Sequence, residues 1–253
     1  MMVWTLAQRE LRSLFLSPLA WSILAVGQFI LAYLFLSQMN DYIMVQPQLK
    51  LLDNAPGVTQ LLVTPLYGSA AFILMLIVPL LTMRLISEER RNQSLALLFS
   101  APVSMTEIIL GKYLGIMLFL VLMILLISVM PLSLLVAGPL DLGHLAAIII
   151  GMLLLVACFA ALGLYMSTLT VQPTVAAVST FGALLLFWII DWAGDKVSNA
   201  EASGLLSYLS ILRHFEAMAR GVFSSADLAY FLLFITTFLV LSIRRLDADR
   251  LQH

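Results

Sequence analysis

The sequence predicts an all-α integral membrane protein of six transmembrane helices, and three observations carry that prediction. Of 253 residues, 62% are hydrophobic and only 11% charged, with a mean hydropathy of +1.05; soluble domains are roughly half apolar and a quarter charged. The apolar residues fall in uncharged blocks of the length a helix needs to cross about 30 Å of hydrocarbon. The longest block, Leu142 to Ile190, contains no Asp, Glu, Lys or Arg. As one helix it would measure about 74 Å, so it must fold back on itself. One membrane domain over residues 1–253 fits this pattern, because so little polar surface cannot cover such blocks in water.

The chain opens with Val3, Trp4, Ala7, Leu11, Leu14 and Phe15 at helical spacing, with Gln8, Arg9, Glu10, Arg12 and Ser13 between them. This predicts an amphipathic elbow helix over 1–17 in the membrane interface. Ser17-Pro18 then breaks the helix and turns the chain into span one, Leu19 to Leu36. A frayed extension of span one is the competing reading. The first apolar run is too long for a signal-peptide h-region and no A-x-A-like site follows Leu36, so span one reads as uncleaved. Residues 38–64 form a polar connection with Pro47, Pro56 and Gly57 and no assignable role.

Span two covers Ser69 to Met83 and includes Pro79; span three covers Tyr113 to Ala137 and includes Pro131. Between them, residues 84–112 predict two helices with a hinge. The first continues span two through the charged turn Glu88-Glu89-Arg90-Arg91 and the apolar Leu95, Leu97, Leu98 and Phe99, and Pro102 stops it. Ser104-x-x-Glu107 ahead of Ile108 and Ile109 is a capping-box pattern that starts the next helix. This segment is a candidate docking element for a soluble partner; a helix lying flat on lipid headgroups is the alternative.

Spans four and five flank Thr170-Val171-Gln172-Pro173-Thr174, the strong breaker in the charge-free block, so span four ends near Met166 and span five near Ile190. Residues 191–227 are polar at first. Then Leu205, Leu206, Tyr208, Leu209, Leu212 and Phe215 recur beside Arg213, His214 and Glu216, which suits a helix partly inserted in the outer leaflet. Trp188 and Trp192 flank Asp191 as interface anchors. Span six, Leu228 to Ile243, is stopped by Arg244 and Arg245.

Arg9, Arg12, Arg84, Arg90, Arg91, Lys112, Arg244, Arg245 and Arg250 fall on one side of this topology, and Lys50, Lys196, Arg213 and Arg220 on the other. The positive-inside rule makes the richer side cytoplasmic, with both termini, residues 84–112 and the Gln172-Pro173 turn.

Composition and spacing also exclude function classes. A net charge of -1 gives no bulk attraction to nucleic acid. No Asp, Glu, His or Arg lies within the spans, against a proton- or ion-coupled transporter. His144, His214 and His253 fall in loops or at the terminus, against an intramembrane serine protease. Thr106 and Tyr113 break a P-loop reading of Gly111-Lys112. Thirteen dispersed Met, with the lone Cys158, read as packing, so no metal is expected. Gly111-x-x-x-Gly115 and Gly163-x-x-x-Ser167 allow close helix approach. With no catalytic or nucleotide-binding residues of its own, the chain takes its energy from another subunit, and residues 84–112 are where that subunit would engage.

This layout, with Glu88 through Ser104 and Glu107-Ile108-Ile109-Leu110-Gly111-Lys112, resembles the ABC-2 type transporter permeases. Their signature runs glutamate, a basic residue, Gly-Thr, a leucine-rich turn, Pro-hydrophobic-Ser and Gly-Lys; Gln93-Ser94 stands here where Gly-Thr is common. Tyr208-Leu209-Ser210, His214-Phe215-Glu216, Ala219-Arg220-Gly221-Val222-Phe223 and Asp227 to Phe231 look like the branch with gliding-motility and copper-enzyme-maturation permeases.

The resemblance implies a permease subunit in the bacterial inner membrane, an exporter, paired with a second permease subunit as homo- or heterodimer. It implies a cytoplasmic ATPase carrying ATP and Mg, with no cofactor on this chain and no enzymatic activity of its own. Glu88, Glu89, Arg90, Arg91, Ser94, Leu97 and Leu98 would dock that ATPase, with Arg9 and Arg12 supporting from the elbow. Gln28 and Tyr33 on span one would line the translocation pathway, although interhelical hydrogen bonding explains them equally well. The alternative function is a non-transporting anchor that transmits force to an extracytoplasmic accessory protein.

Overall fold

The computed structural model describes residues 2–49, 57–94, 103–136, 140–194 and 210–251. All of these residues that are regular are helical, and six helices are long and apolar enough to cross a membrane. An even number of spans puts both termini at one end of the bundle, here called the termini end.

Helix α1, Met2–Leu16, is amphipathic and ends where Ser17 N–H closes on the Leu14 carbonyl at 3.0 Å. Pro18 opens α2, Pro18–Leu49, since its fixed φ and missing N–H suit a first helical turn. The junction is sealed by Trp21, whose indole donates to the Phe15 carbonyl at 2.8 Å. The α2 helix runs thirteen residues beyond Leu36, the expected end of span one. Hydrophobicity marks where a helix leaves hydrocarbon, and it does not mark where the helix stops.

A π-helical turn, Thr59–Val63, leads into α3, Thr64–Thr82, with Pro65 in its first turn and Pro79 near its end. Span two was expected to continue unbroken into the charged turn. The chain instead leaves the helix at Met83 and resumes as α4, Ser87–Arg91. The Met83 N–H still closes on the Pro79 carbonyl at 3.0 Å, so the helix runs through the proline and ends a turn later. Side-chain bonds from a neighbouring helix hold the turn open.

Helix α5, Met105–Ser133, begins with the expected capping box: Ser104 Oγ accepts from Glu107 N–H at 3.2 Å, and the Glu107 carboxylate accepts from Ser104 N–H at 3.0 Å. The charge-free block folds back as predicted, into α6, Leu142–Leu169, and α7, Pro173–Gly194. A short α8, Ile211–Ala219, precedes α9, Ser225–Leu251.

Helix α6 forms the centre: two thirds of its apolar window is buried, against less than a quarter for α2, α7 and α9. It packs against α3, α5, α7, α8 and α9. Apolar side chains such as Leu74, Val78, Phe119, Met152, Phe159 and Phe231 fill the core. Two tyrosines within it reach partners on neighbouring helices, as hydrocarbon favours. Tyr67 and Ser128 share a hydrogen bond at 2.7 Å, and Tyr113 donates to the Ala157 carbonyl at 3.1 Å.

The Gly111-x-x-x-Gly115 spacing is used by α1. A Cβ at Gly111 would sit 2.6 Å from Leu6 Cβ, and one at Gly115 2.7 Å from Glu10 Cβ. Only hydrogen on these two positions lets α1 lie directly on the start of α5, the two helices running in the same direction.

Candidate functional site

The candidate site forms around α4 at the termini end, and its geometry starts from the break after α3. Ser167 on α6 is fully buried and uses its hydroxyl three times. Its Oγ accepts from the backbone N–H of Ile86 and of Ser87 at 3.0 and 3.1 Å, and it donates to the Met83 carbonyl at 3.1 Å. The Ser87 hydroxyl also donates to that carbonyl. Two donors at the start of α4 that lack helical partners are thereby satisfied from a different span. One turn earlier on α6, a side chain at Gly163 would overlap Thr82, the last residue of α3. Gly163 and Ser167 together seat the break against α6.

Charges then tie α4 to three further elements. Lys112 on α5 is 7% exposed and lies between two carboxylates, Glu89 at 2.7 Å and Glu10 of α1 at 3.3 Å. One ammonium thus joins α1, α4 and α5. Arg90 turns the opposite way. Its guanidinium donates to the Thr168 carbonyl on α6 at 2.8 Å and forms an ion pair with Asp249 on α9. Arg245 approaches the same carboxylate at 3.7 Å.

The end of α4 is closed by two backbone bonds. Ser94 N–H returns to the Glu89 carbonyl at 3.1 Å and Gln93 N–H to the Arg90 carbonyl at 3.2 Å. This is a Schellman cap, which places its C′ residue in the left-handed region. That residue is Gln93, with φ 55°. Glycine occupies such positions because a Cβ there crowds the backbone. By the resemblance, Gly-Thr is common at the two positions held here by Gln93 and Ser94, and Gln93 takes the left-handed conformation without glycine's freedom. The Ser94 hydroxyl adds a bond to the Glu89 carbonyl at 3.2 Å.

The predicted docking residues therefore divide. Glu89, Arg90 and Ser94 are bonded within the chain, whereas Glu88 is half-buried, Arg91 is exposed, and neither joins an ion pair among the described residues. Leu97 and Leu98 lie outside the described residues. Arg9 and Arg12 are exposed on the outer face of α1. Gln28 donates to the Met123 carbonyl on α5 at 3.1 Å, an interhelical bond. Tyr33 is 67% exposed on a face of α2 shared with Val26, Phe29 and Leu36. Sequence reasoning missed Glu10, Lys112, Ser167 and Asp249 as parts of this site. Gly163-x-x-x-Ser167 was the local signal for one of them; the others pair across the chain.

At the opposite end, α8 begins with Ser210 accepting from Arg213 N–H at 3.2 Å. Its buried His214 meets Asp227 on α9 at 2.6 Å and stacks on Tyr230, with ring centroids 4.2 Å apart. Phe215 and Met218 pack against Gly151 of α6. The Ala219 carbonyl accepts from Thr64 at 3.2 Å and lies 2.7 Å from His144 Nε2. A second Schellman cap ends this helix, with Val222 N–H bonded to the Ala217 carbonyl and Gly221 at φ +81°.

Among the described residues no group of His, Cys, Asp and Glu side chains could hold a metal ion. A comparison with protein families matches residues 4–251 to the ABC-2 family transporter protein family. A search of curated proteins finds none that matches. Members of this family are the non-catalytic membrane components of transporters and work with an ATPase partner. With six apolar helices and a match over almost its whole length, this chain belongs to the ABC-2 transporter family.

Proposed function

We propose that this chain is the permease subunit of an exporter in a bacterial inner membrane, and that a separate ATPase docks on residues 84–112. Both termini and α4 then face the cytoplasm, α1 lies along the cytoplasmic end of α5, and α8 lies in the outer leaflet. The positive-inside distribution of Lys and Arg supports this orientation.

The observation that carries the docking reading is the division of charges on α4. Glu89 and Arg90 fix the helix to α1, α5, α6 and α9, while Glu88 and Arg91 remain available to a partner. A helix moored on its inner side and charged on its outer side can receive a push without collapsing. Leu97 and Leu98 would enter the docking cleft, and Arg9 and Arg12 would flank it. Two copies, or this chain and a related one, would enclose the pathway along the open face of α2 that carries Tyr33. Gln28 would brace that face through its bond to α5. The motifs from Tyr208 to Phe231 support a place beside the gliding-motility and copper-enzyme-maturation permeases.

The test is charge reversal of the outward pair, Glu88→Arg with Arg91→Glu. The expected result is loss of the ATPase that co-elutes with the tagged protein from its native membrane, while the variant remains inserted. Unchanged recovery of vanadate-sensitive ATP hydrolysis would refute docking at this site.

A further inference from the structure

Helix α9 carries one half-buried or buried carboxylate near each end, and each is claimed by a different short helix. At the termini end Asp249 holds Arg90 of α4. At the opposite end Asp227, 8% exposed, holds His214 of α8 at 2.6 Å. The two carboxylates stand roughly 33 Å apart along the axis at about 1.5 Å per residue, about the thickness of the hydrocarbon core. Between them α9 contains neither proline nor glycine, the residues at which helices kink. Its wall is largely apolar, with Phe231, Ser242 and Leu246 fully buried and Leu232, Leu233, Val240 and Leu241 open. No charge lies along that stretch until Arg244, so sliding or tilting would break no ion pair in the middle of the span.

We propose that α9 is a transmission strut: it carries movement of α4 across the membrane to α8, and Asp249 and Asp227 are the positioning residues at its two ends. Arg90 is the coupling point because one guanidinium grips both α9, through Asp249, and the end of α6, through the Thr168 carbonyl. When a partner displaces α4, these two grips set how α9 moves relative to α6. At the far end α8 is bonded to α9 by His214 and packed on α6 by Phe215 and Met218. A shift of α9 against α6 must therefore reorient α8 and the exposed Val222 that closes its cap. This inference rests on the reading of residues 84–112 as the ATPase docking segment.

The experiment uses the complex as it elutes from its native membrane with its ATPase. Val222→Cys supplies a reporter for maleimide labelling, since Val222 is 60% exposed and the native Cys158 is fully buried. ATP with vanadate is expected to change the labelling rate of Val222→Cys several-fold. Adding Asp249→Arg should abolish that change while the ATPase still co-elutes. Asp249→Glu, which keeps the carboxylate and leaves both grips of Arg90 in place, should retain it. Asp247→Arg, an equal charge change on the exposed face of the same helix, should leave it intact. The strut is overturned if Asp249→Arg retains the response, if Asp249→Glu abolishes it, or if Asp247→Arg abolishes it equally. Failure of the docking reading is separate: the ATPase would then stay bound through the Glu88 and Arg91 reversal.

Discussion

The two short helices at opposite ends of the bundle, α4 and α8, end in the same cap and are held in place by opposite means. Helix α8 buries Ile211, Phe215, Met218 and Ala219 and adds one buried pair, His214 with Asp227. Helix α4, with the sequence SEERR, buries only Ser87 and is positioned by Ser167, Lys112 and Arg90. Packing is non-directional and accumulates over area, whereas hydrogen bonds and ion pairs are directional and can exchange partners. The difference binds α8 to its neighbours by area and α4 by a few bonds that can exchange partners.

The largest effect should come from the packed helix. Phe215→Ala removes a ring that is 1% exposed and lies against Gly151 of α6. Loss of a buried Phe typically costs about 3–5 kcal/mol, because the cavity adds to the lost burial. Thermal unfolding in detergent should show a clearly lower midpoint. An unchanged midpoint would mean that α8 is held by His214 and Asp227, and the contrast with α4 would disappear.

A smaller loss is expected from the directional anchor. Ser167→Ala leaves the N–H groups of Ile86 and Ser87 without their acceptor while changing little volume. A buried group left unsatisfied costs about 1–3 kcal/mol. The mark that separates it from Phe215→Ala is locality. Hydrogen exchange should rise at residues 84–91 and stay near wild type in α8, whereas Phe215→Ala should show the reverse.

Much of this arrangement could be read from the chain because its signals are local. Pro173 divides the charge-free block, Ser104 and Glu107 form their capping box, and each small-residue pair marks a close contact. The break between α3 and α4 could not be read, because residues 83–86 contain neither Gly nor Pro. Its cause lies elsewhere, in Ser167 across the bundle. The same holds for the charges. Glu89 and Arg90 look alike in sequence to Glu88 and Arg91, and only the positions of Lys112 and Asp249 in space show which pair faces inward. Ion pairs between residues far apart in sequence depend on packing that periodicity does not encode.

The smallest predicted effect has the opposite sign and tests the one feature the two helices share. Both caps need a residue in the left-handed region; α8 supplies Gly221 and α4 supplies Gln93. A non-glycine residue there costs about 1–2 kcal/mol from crowding of its Cβ, offset in part because glycine loses more freedom on folding. Gln93 is exposed, and its N–H and that of Ser94 already make the cap bonds, so its side chain can be removed without losing them. Gln93→Gly should therefore stabilise the protein by a fraction of that cost, roughly 0.5–1 kcal/mol, with slower hydrogen exchange at residues 93 and 94. If the midpoint fell instead, the Gln93 side chain would be holding α4 from outside its cap. The helix would then depend on one more directional tie, and the contrast with α8 would be stronger than the geometry indicates.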